Sequence, residues 1–167
     1  MSVRVNYGIG SFGKVISARL LMGTDIMEGI EALCEENNMD SATIVSCIGS
    51  FQKSSFVYLV PDETSQIKVR FSEAIEKEGP LEFIQGSGLV CKRDGGYETH
   101  FHGSMSDQWG AVSGGHFIKG GNIVITADVV LAEIQGIQHI RKMDDETGHV
   151  QFYPLEYGLD QPRKIEK

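Results

Sequence analysis

The chain has 167 residues, with 15 Lys and Arg against 23 Asp and Glu, for a formal net charge of −8. A hydrophobic fraction of 41% beside 23% charged residues excludes intrinsic disorder over most of the length, and the size suits one domain that buries its own core without a disulfide or metal staple. A pI near 5.1 speaks against a general nucleic-acid binder, which neutralises phosphates with a basic stripe.

Residues 1–13 read as an N-terminal segment. Within it and just beyond, Gly8-Ile9-Gly10-Ser11-Phe12-Gly13-Lys14-Val15 fits G-x-G-x-x-G-x-V. Context rejects both meanings of that pattern. A kinase needs a longer chain with H-R-D and D-F-G elements. A dinucleotide fold needs a strand before the glycines and a helix after them. Here a strand follows, so a mobile turn is expected.

That strand is predicted over residues 14–22, where apolar and polar residues alternate up to Gly23. Thr24 is placed as the N-cap of a helix in which Ile26, Ile30, Leu33 and Cys34 form one apolar stripe. Asp25 suits the positive helix start, and Asn37-Asn38 ends the helix. Strands are then predicted over 42–51, 55–60, 66–71, 81–91 and 97–105. Two more follow at 117–118 and 122–134, separated by Gly120-Gly121. This pattern of one helix and many strands predicts an α+β domain over 14–140 with a largely antiparallel sheet. Residues 141–167 mix charges with Pro154 and Pro162, and read as an appended tail whose last residues fray.

Cys34, Cys47 and Cys91 are odd in number and lack C-x-x-C spacing, which suits a reducing compartment. The first residues lack an apolar signal segment, and no apolar run approaches the ~20 residues of a membrane span. A cytoplasmic location with no membrane contact is expected.

Five histidines are present: His100, His102, His116, His139 and His149. Strand alternation sends His100 and His102 out of one face, with Cα atoms roughly 6.5–7 Å apart. That spacing lets two imidazoles converge on one ion. His116 follows a short connection that can form a hairpin, beside Gly114 and Gly115, and is the natural third ligand. Three histidines leave a fourth coordination position open, as in catalytic zinc sites. The alternative is a plain half-exposed strand, with Tyr97 and Phe101 in the core and the histidines in water. His139 and His149 are read as surface or tail residues.

Four carboxylates sit in strand-like segments: Glu82, Glu98, Asp128 and Glu133. Asp128, flanked by Ala127 and Val129, is expected to be paired or to face a polar cavity. Glu98 and Glu133 read as ordinary solvent-facing groups. Asp128 and Glu82 are the candidates for acid–base work or for holding a ligand histidine.

Ser46-Cys47-Ile48-Gly49-Ser50, Gly79-Pro80-Leu81-Glu82-Phe83-Ile84, His100-Phe101-His102 and Gly114-Gly115-His116-Phe117 occur in the order typical of the plants-and-prokaryotes-conserved (PPC) domain, and the chain resembles that family from about residue 14 to 138. The resemblance implies an α+β subunit assembled as a homotrimer. Plant members carry an Arg-Gly-Arg-Pro AT-hook for A·T-rich DNA, which this chain lacks. Pro80 stands where their motif has Arg. The fold is also similar to that of a zinc-dependent acetolactate decarboxylase with three histidine ligands, which would match His100, His102 and His116. Three functions follow as expectations. The first is a homotrimer with a divalent-metal site, zinc by its ligand type, acting on or binding a small oxygen-rich metabolite. The second is a DNA-associated regulatory module, and the third a structural trimer that binds proteins.

Overall fold

Alternation of buried and exposed side chains organises most of the chain into strands. The computed structural model describes residues 2–167. In chain order it contains β1 (Arg4–Tyr7), β2 (Ser11–Leu20), α1 (Ile26–Glu36), β3 (Ser41–Val57), β4 (Leu59–Pro61), β5 (Val69–Phe71) and β6 (Ile75–Arg93). There follow β7 (Gly96–Ser106), β8 (Val112–Phe117), β9 (Ile123–Gln135), β10 (Ile137–Asp144), β11 (His149–Glu156) and β12 (Arg163–Glu166). This is the expected α+β architecture. Six strands form one antiparallel sheet in the order β2-β9-β3-β6-β7-β8. The end of β3 also pairs with β8, at Phe56↔Phe117 and Val57↔His116, so the sheet curls back on itself.

The core lies on one face of this sheet, under α1. Phe51, Phe83, Phe101 and Phe117 are at most 1% exposed, and Ile26, Ile30 and Cys34 of the helix are fully buried. The rings meet edge-on or tilted, with centroids 5.3 Å apart for Phe101 and Phe117, a favourable arrangement for aromatic quadrupoles. Gly86, Gly103 and Gly115 lie in one row across β6, β7 and β8. A methyl group on Gly103 would press into the Phe117 and Phe83 rings. Glycine there lets the strand backbone sit directly on the aromatic cluster.

Asp25, rather than Thr24, caps the helix. Its Oδ1 accepts from the Met27 and Glu28 amides at 3.1 and 3.2 Å, and its Oδ2 accepts from Asn122 N at 2.9 Å. Thr24 N donates to Leu21 O in the preceding turn, so Thr24 belongs to that turn. A carboxylate that serves a cap and the buried amide of Asn122, just before β9, cannot be removed cheaply. Asp25→Ala should destabilise by about 2 kcal/mol in urea denaturation, and Asp25→Asn by less. An Asp25→Ala midpoint equal to wild type would show that the cap carries no weight.

Four other expectations need correction. The segments 42–51 and 55–60 are not two strands: β3 runs through both, and register shifts near Phe51 and Lys53 absorb the irregularity. The glycine-rich start is not a free turn, since β2 already begins at Ser11 and pairs with Gln135 of β9. The Gly120-Gly121 turn joins strands that are not partners, because β3 lies between β8 and β9. The tail is not frayed. β10 and β11 form a hairpin, and β12 pairs with β1.

Cys34, Cys47 and Cys91 are all buried free thiols. Burial pushes Cys34 and Cys47 up to about 12 and Cys91 to about 11, so none is poised as a thiolate.

Candidate metal centre

The outer face of the sheet, opposite the phenylalanine core, carries the three histidines. Thr99 and Phe101 point inward at 5% and 0% exposure, so His100 and His102 must point outward. The chain then turns through residues 107–111, where Asp107 Oδ1 accepts from the amides of Trp109 and Ala111. This turn sets the β7–β8 register so that His116 lies directly opposite His102. The hairpin expected from sequence is therefore what delivers the third imidazole.

The rings form a nearly equilateral triangle, with centroid separations of 5.0, 4.9 and 5.0 Å. One ligand atom from each lies within 4.8 Å of the others. His100 Nε2 and His102 Nε2 are 3.0 Å apart. Nitrogens held ~2.0–2.1 Å from one tetrahedral ion stand about 3.3 Å from each other, so the donor set fits a zinc-sized cation with little movement. Burial, followed by mutual repulsion and Arg141, lowers His100 to about 4. Burial also lowers His102 and His116. All three are neutral near pH 7, the form that offers a lone pair to a metal.

A cavity of about 620 Å³ opens over the triangle, a size typical of small-molecule sites. The β4–β5 hairpin contributes Leu59 and Phe71, with Val57 and Ile67 beside it. The β10–β11 hairpin contributes Arg141, His149 and Val150. The Phe71 ring lies 5.5 Å from His116, and Phe152 stacks on His100 at 5.6 Å and 19°. The two hairpins are tied together at their tips by Gln66 Nε2, which donates to Asp145 O at 2.8 Å and Glu146 O at 3.0 Å.

Asp128 and Glu82 are elsewhere. Both are exposed, and neither lines this cavity. Ala127 and Val129 bury toward the core while Asp128 alternates outward, opposite Arg19 of β2 and Ile48 of β3. Its apolar neighbours reflected period-two alternation, not a buried charge. Glu98 is not an ordinary solvent-facing group, since it pairs with both Arg93 and Arg141. Glu133 Oε2 accepts from Lys14 N and Gln135 Nε2. His139 is buried at 8% exposure, its amide donating to Ser41 Oγ. His149 is half-buried and lines the cavity.

A family model, the Plants and Prokaryotes Conserved (PCC) domain, matches residues 7–135. The chain belongs to this family. Among solved structures, this PPC domain is similar to a metal-containing protein of Archaeoglobus fulgidus, at 27% identity and TM-score 0.73, covering 86% of this chain and 96% of that one. It also shares its fold with a plant- and prokaryote-conserved protein of Pyrococcus horikoshii, at 24% identity and TM-score 0.76, covering 91% and 99%. Among curated proteins it is 28% identical over 140 residues to the bifunctional protein GlmU of two Synechococcus strains, covering 84% of this chain. It spans only 20% of the length of those relatives. Arg141, His149 and Phe152 lie beyond the matched residues, on the β10–β11 hairpin.

The lowered histidines give the PPC domain a defined pH response. His100, His102, His116 and His139 titrate lower in the folded state than the ordinary 6.5, in each case first because of burial. Between the two pKa values the unfolded chain binds more protons, so stability rises with pH across that window. The metal-free protein should therefore hold full stability from this source above about pH 6.5 and lose it as pH falls toward 4. Urea midpoints of chelator-treated protein at pH 7, 6 and 5 check this. A flat series would contradict the burial of the imidazoles.

Proposed function

We propose that His100, His102 and His116 hold one divalent metal ion, zinc by its ligand preference, at the floor of a cavity that binds a small oxygen-rich metabolite. The observation that carries this reading is the triangle itself: three neutral imidazoles from two paired strands, converging beneath one cavity. A metal-containing relative with 27% identity over nearly its whole length supports it. Bound there, the ion supplies a Lewis acid with an open coordination position. The chain supplies the enclosure. Val57, Leu59, Ile67 and Phe71 narrow the approach of water, and Phe152 fixes the plane of the His100 ring. Within one chain neither Asp128 nor Glu82 lines the cavity.

The same reading includes a homotrimer. On the outer sheet face beyond the cavity, Val45, Ile48 and Ile84 are 58%, 48% and 43% exposed and line a shared depression. An apolar patch of that kind favours association. Light scattering should give three times the 18.4 kDa chain mass. No described helix is long and apolar enough to cross a membrane, and the assembly is proposed to be cytoplasmic.

Elemental analysis of purified protein tests the metal. About one zinc per chain is expected, and protein that takes up no stoichiometric divalent metal would overturn the reading. The DNA-associated alternative meets a net charge of −8. A low-salt gel shift at micromolar protein is expected to stay blank, and salt-sensitive retardation would revive that alternative.

A further inference from the structure

Among the described residues lining the histidine cavity, Arg141 is the only one with a formal charge at neutral pH. It is a cation in a chain of net charge −8, held at a largely apolar wall. Its side chain is 14% exposed. The guanidinium lies over the Phe152 ring at 4.8 Å, and the same ring stacks on His100 and meets His139 edge-on. One aromatic side chain therefore fixes the fork of Arg141 and one corner of the histidine triangle together.

The guanidinium is also incompletely used. Arginine has five N–H donors. The ion-pair partner of Arg141 is Glu98, whose Oε1 lies 3.0 Å from Nε. That contact lacks hydrogen-bond alignment, and Nε is a buried donor without a partner. Glu98 is itself shared, since its Oε2 is taken by Arg93 at 2.5 Å. Arg93 also pairs with Asp94 at 3.3 Å, so the cluster is balanced in charge, and what Arg141 has to offer the cavity is its unused N–H donors. A planar fork with spare donors matches a carboxylate, which it binds through two parallel hydrogen bonds. The apolar lining of Val57, Leu59 and Ile67 suits a ligand that carries an apolar substituent beside its charged group, which inorganic phosphate lacks.

We propose that the cavity is a carboxylate-binding site in which Arg141 anchors the carboxyl group of a small organic acid. A second oxygen of that acid faces the open position above His100, His102 and His116, and a short apolar substituent lies against Val57, Leu59 and Ile67. This rests on the metal reading above and adds the ligand class. It also gives a role to the β10–β11 hairpin, which lies beyond the residues 7–135 matched by the family model. That hairpin brings Arg141 to a site whose metal-binding half is already complete.

The probe is 2-oxoisovalerate, a small acid with a second oxygen beside the carboxylate and a branched apolar end. Its affinity for zinc-loaded protein is read by isothermal titration and by the shift in melting temperature, beside its neutral methyl ester and inorganic phosphate. Wild type should bind the acid at least tenfold more tightly than the ester. Arg141→Gln should lose tenfold or more in affinity for the acid while keeping wild-type zinc content, and Arg141→Lys should recover part of the loss. Equal binding of acid and ester, equal binding by Arg141→Gln, or tighter binding of phosphate than of the acid would each overturn the proposal. The ester comparison uses wild type alone, so it decides even where a variant fails to fold. Zinc content is measured separately. Protein that takes no zinc defeats the metal reading, while zinc-loaded protein that ignores the acid defeats only the carboxylate site.

Discussion

A His100→Ala/His102→Ala double variant should keep less than about one hundredth of the wild-type affinity for zinc while still folding. Groups that merely orient a metal ligand cost 10- to 100-fold when lost, so removing two of three ligands must cost more. Folding should survive because the two imidazoles sit on the outer face of β7, and the inward residues Thr99, Phe101 and Met105 are untouched. In metal-free form the variant should also be less sensitive to acid, because the imidazole lowered to about 4 is gone. Wild type should gain roughly 4 kcal/mol of stability at free zinc a thousandfold above its Kd, and the variant almost none. Competition with a zinc-sensitive chelating dye, paired with urea denaturation, measures both. Equal zinc affinity in the two proteins would remove these residues from the site.

Phe101→Ala should be the most damaging single substitution near the site, at about 3–5 kcal/mol. Phe101 is fully buried and meets Phe83 and Phe117 edge-on, at centroid distances of 6.2 and 5.3 Å. A cavity there would not collapse readily, since the facing backbone is already pressed onto the rings at Gly86 and Gly103. The two flanking residues are both proposed ligands, so zinc affinity should fall about tenfold through loss of their positioning. A destabilisation below about 1 kcal/mol would show that the aromatic cluster repacks. A large loss of stability with unchanged zinc affinity would show that the strand, and not its buried side, sets the histidine geometry.

The metal-ligand candidates were legible because they depend on two short-range regularities. Period-two alternation put His100 and His102 on one face, and a turn-like stretch before Gly114 allowed His116 to return beside them. The helix stripe was legible for the same reason. What could not be read was the other half of the cavity. Arg141 and Lys142 looked like a solvated charge run, yet their cationic ends lie over the rings of Phe152 and Tyr153 at 4.8 and 4.1 Å. Long basic side chains bury their stems and stack their heads, so charge alone concealed a strand. Asp128 misled in the opposite direction, because apolar neighbours along a strand say nothing about the face between them. The unbroken course of β3 was hidden as well. The polar run Gln52-Lys53-Ser54, where the register shifts against both neighbouring strands, reads in sequence as a break between two strands.

The pairing of β1 with β12 has a consequence for how this unit can be used. Val3 and Lys167 exchange backbone hydrogen bonds in both directions, at 2.9 and 3.0 Å. Residues 3 and 167 therefore lie side by side, at a point remote in sequence from the histidines. A body wired in that way can be spliced into an exposed loop of a host protein without prying the host apart, and its own ends can be fused and reopened elsewhere. Such a graft would carry the three histidines and both covering hairpins together.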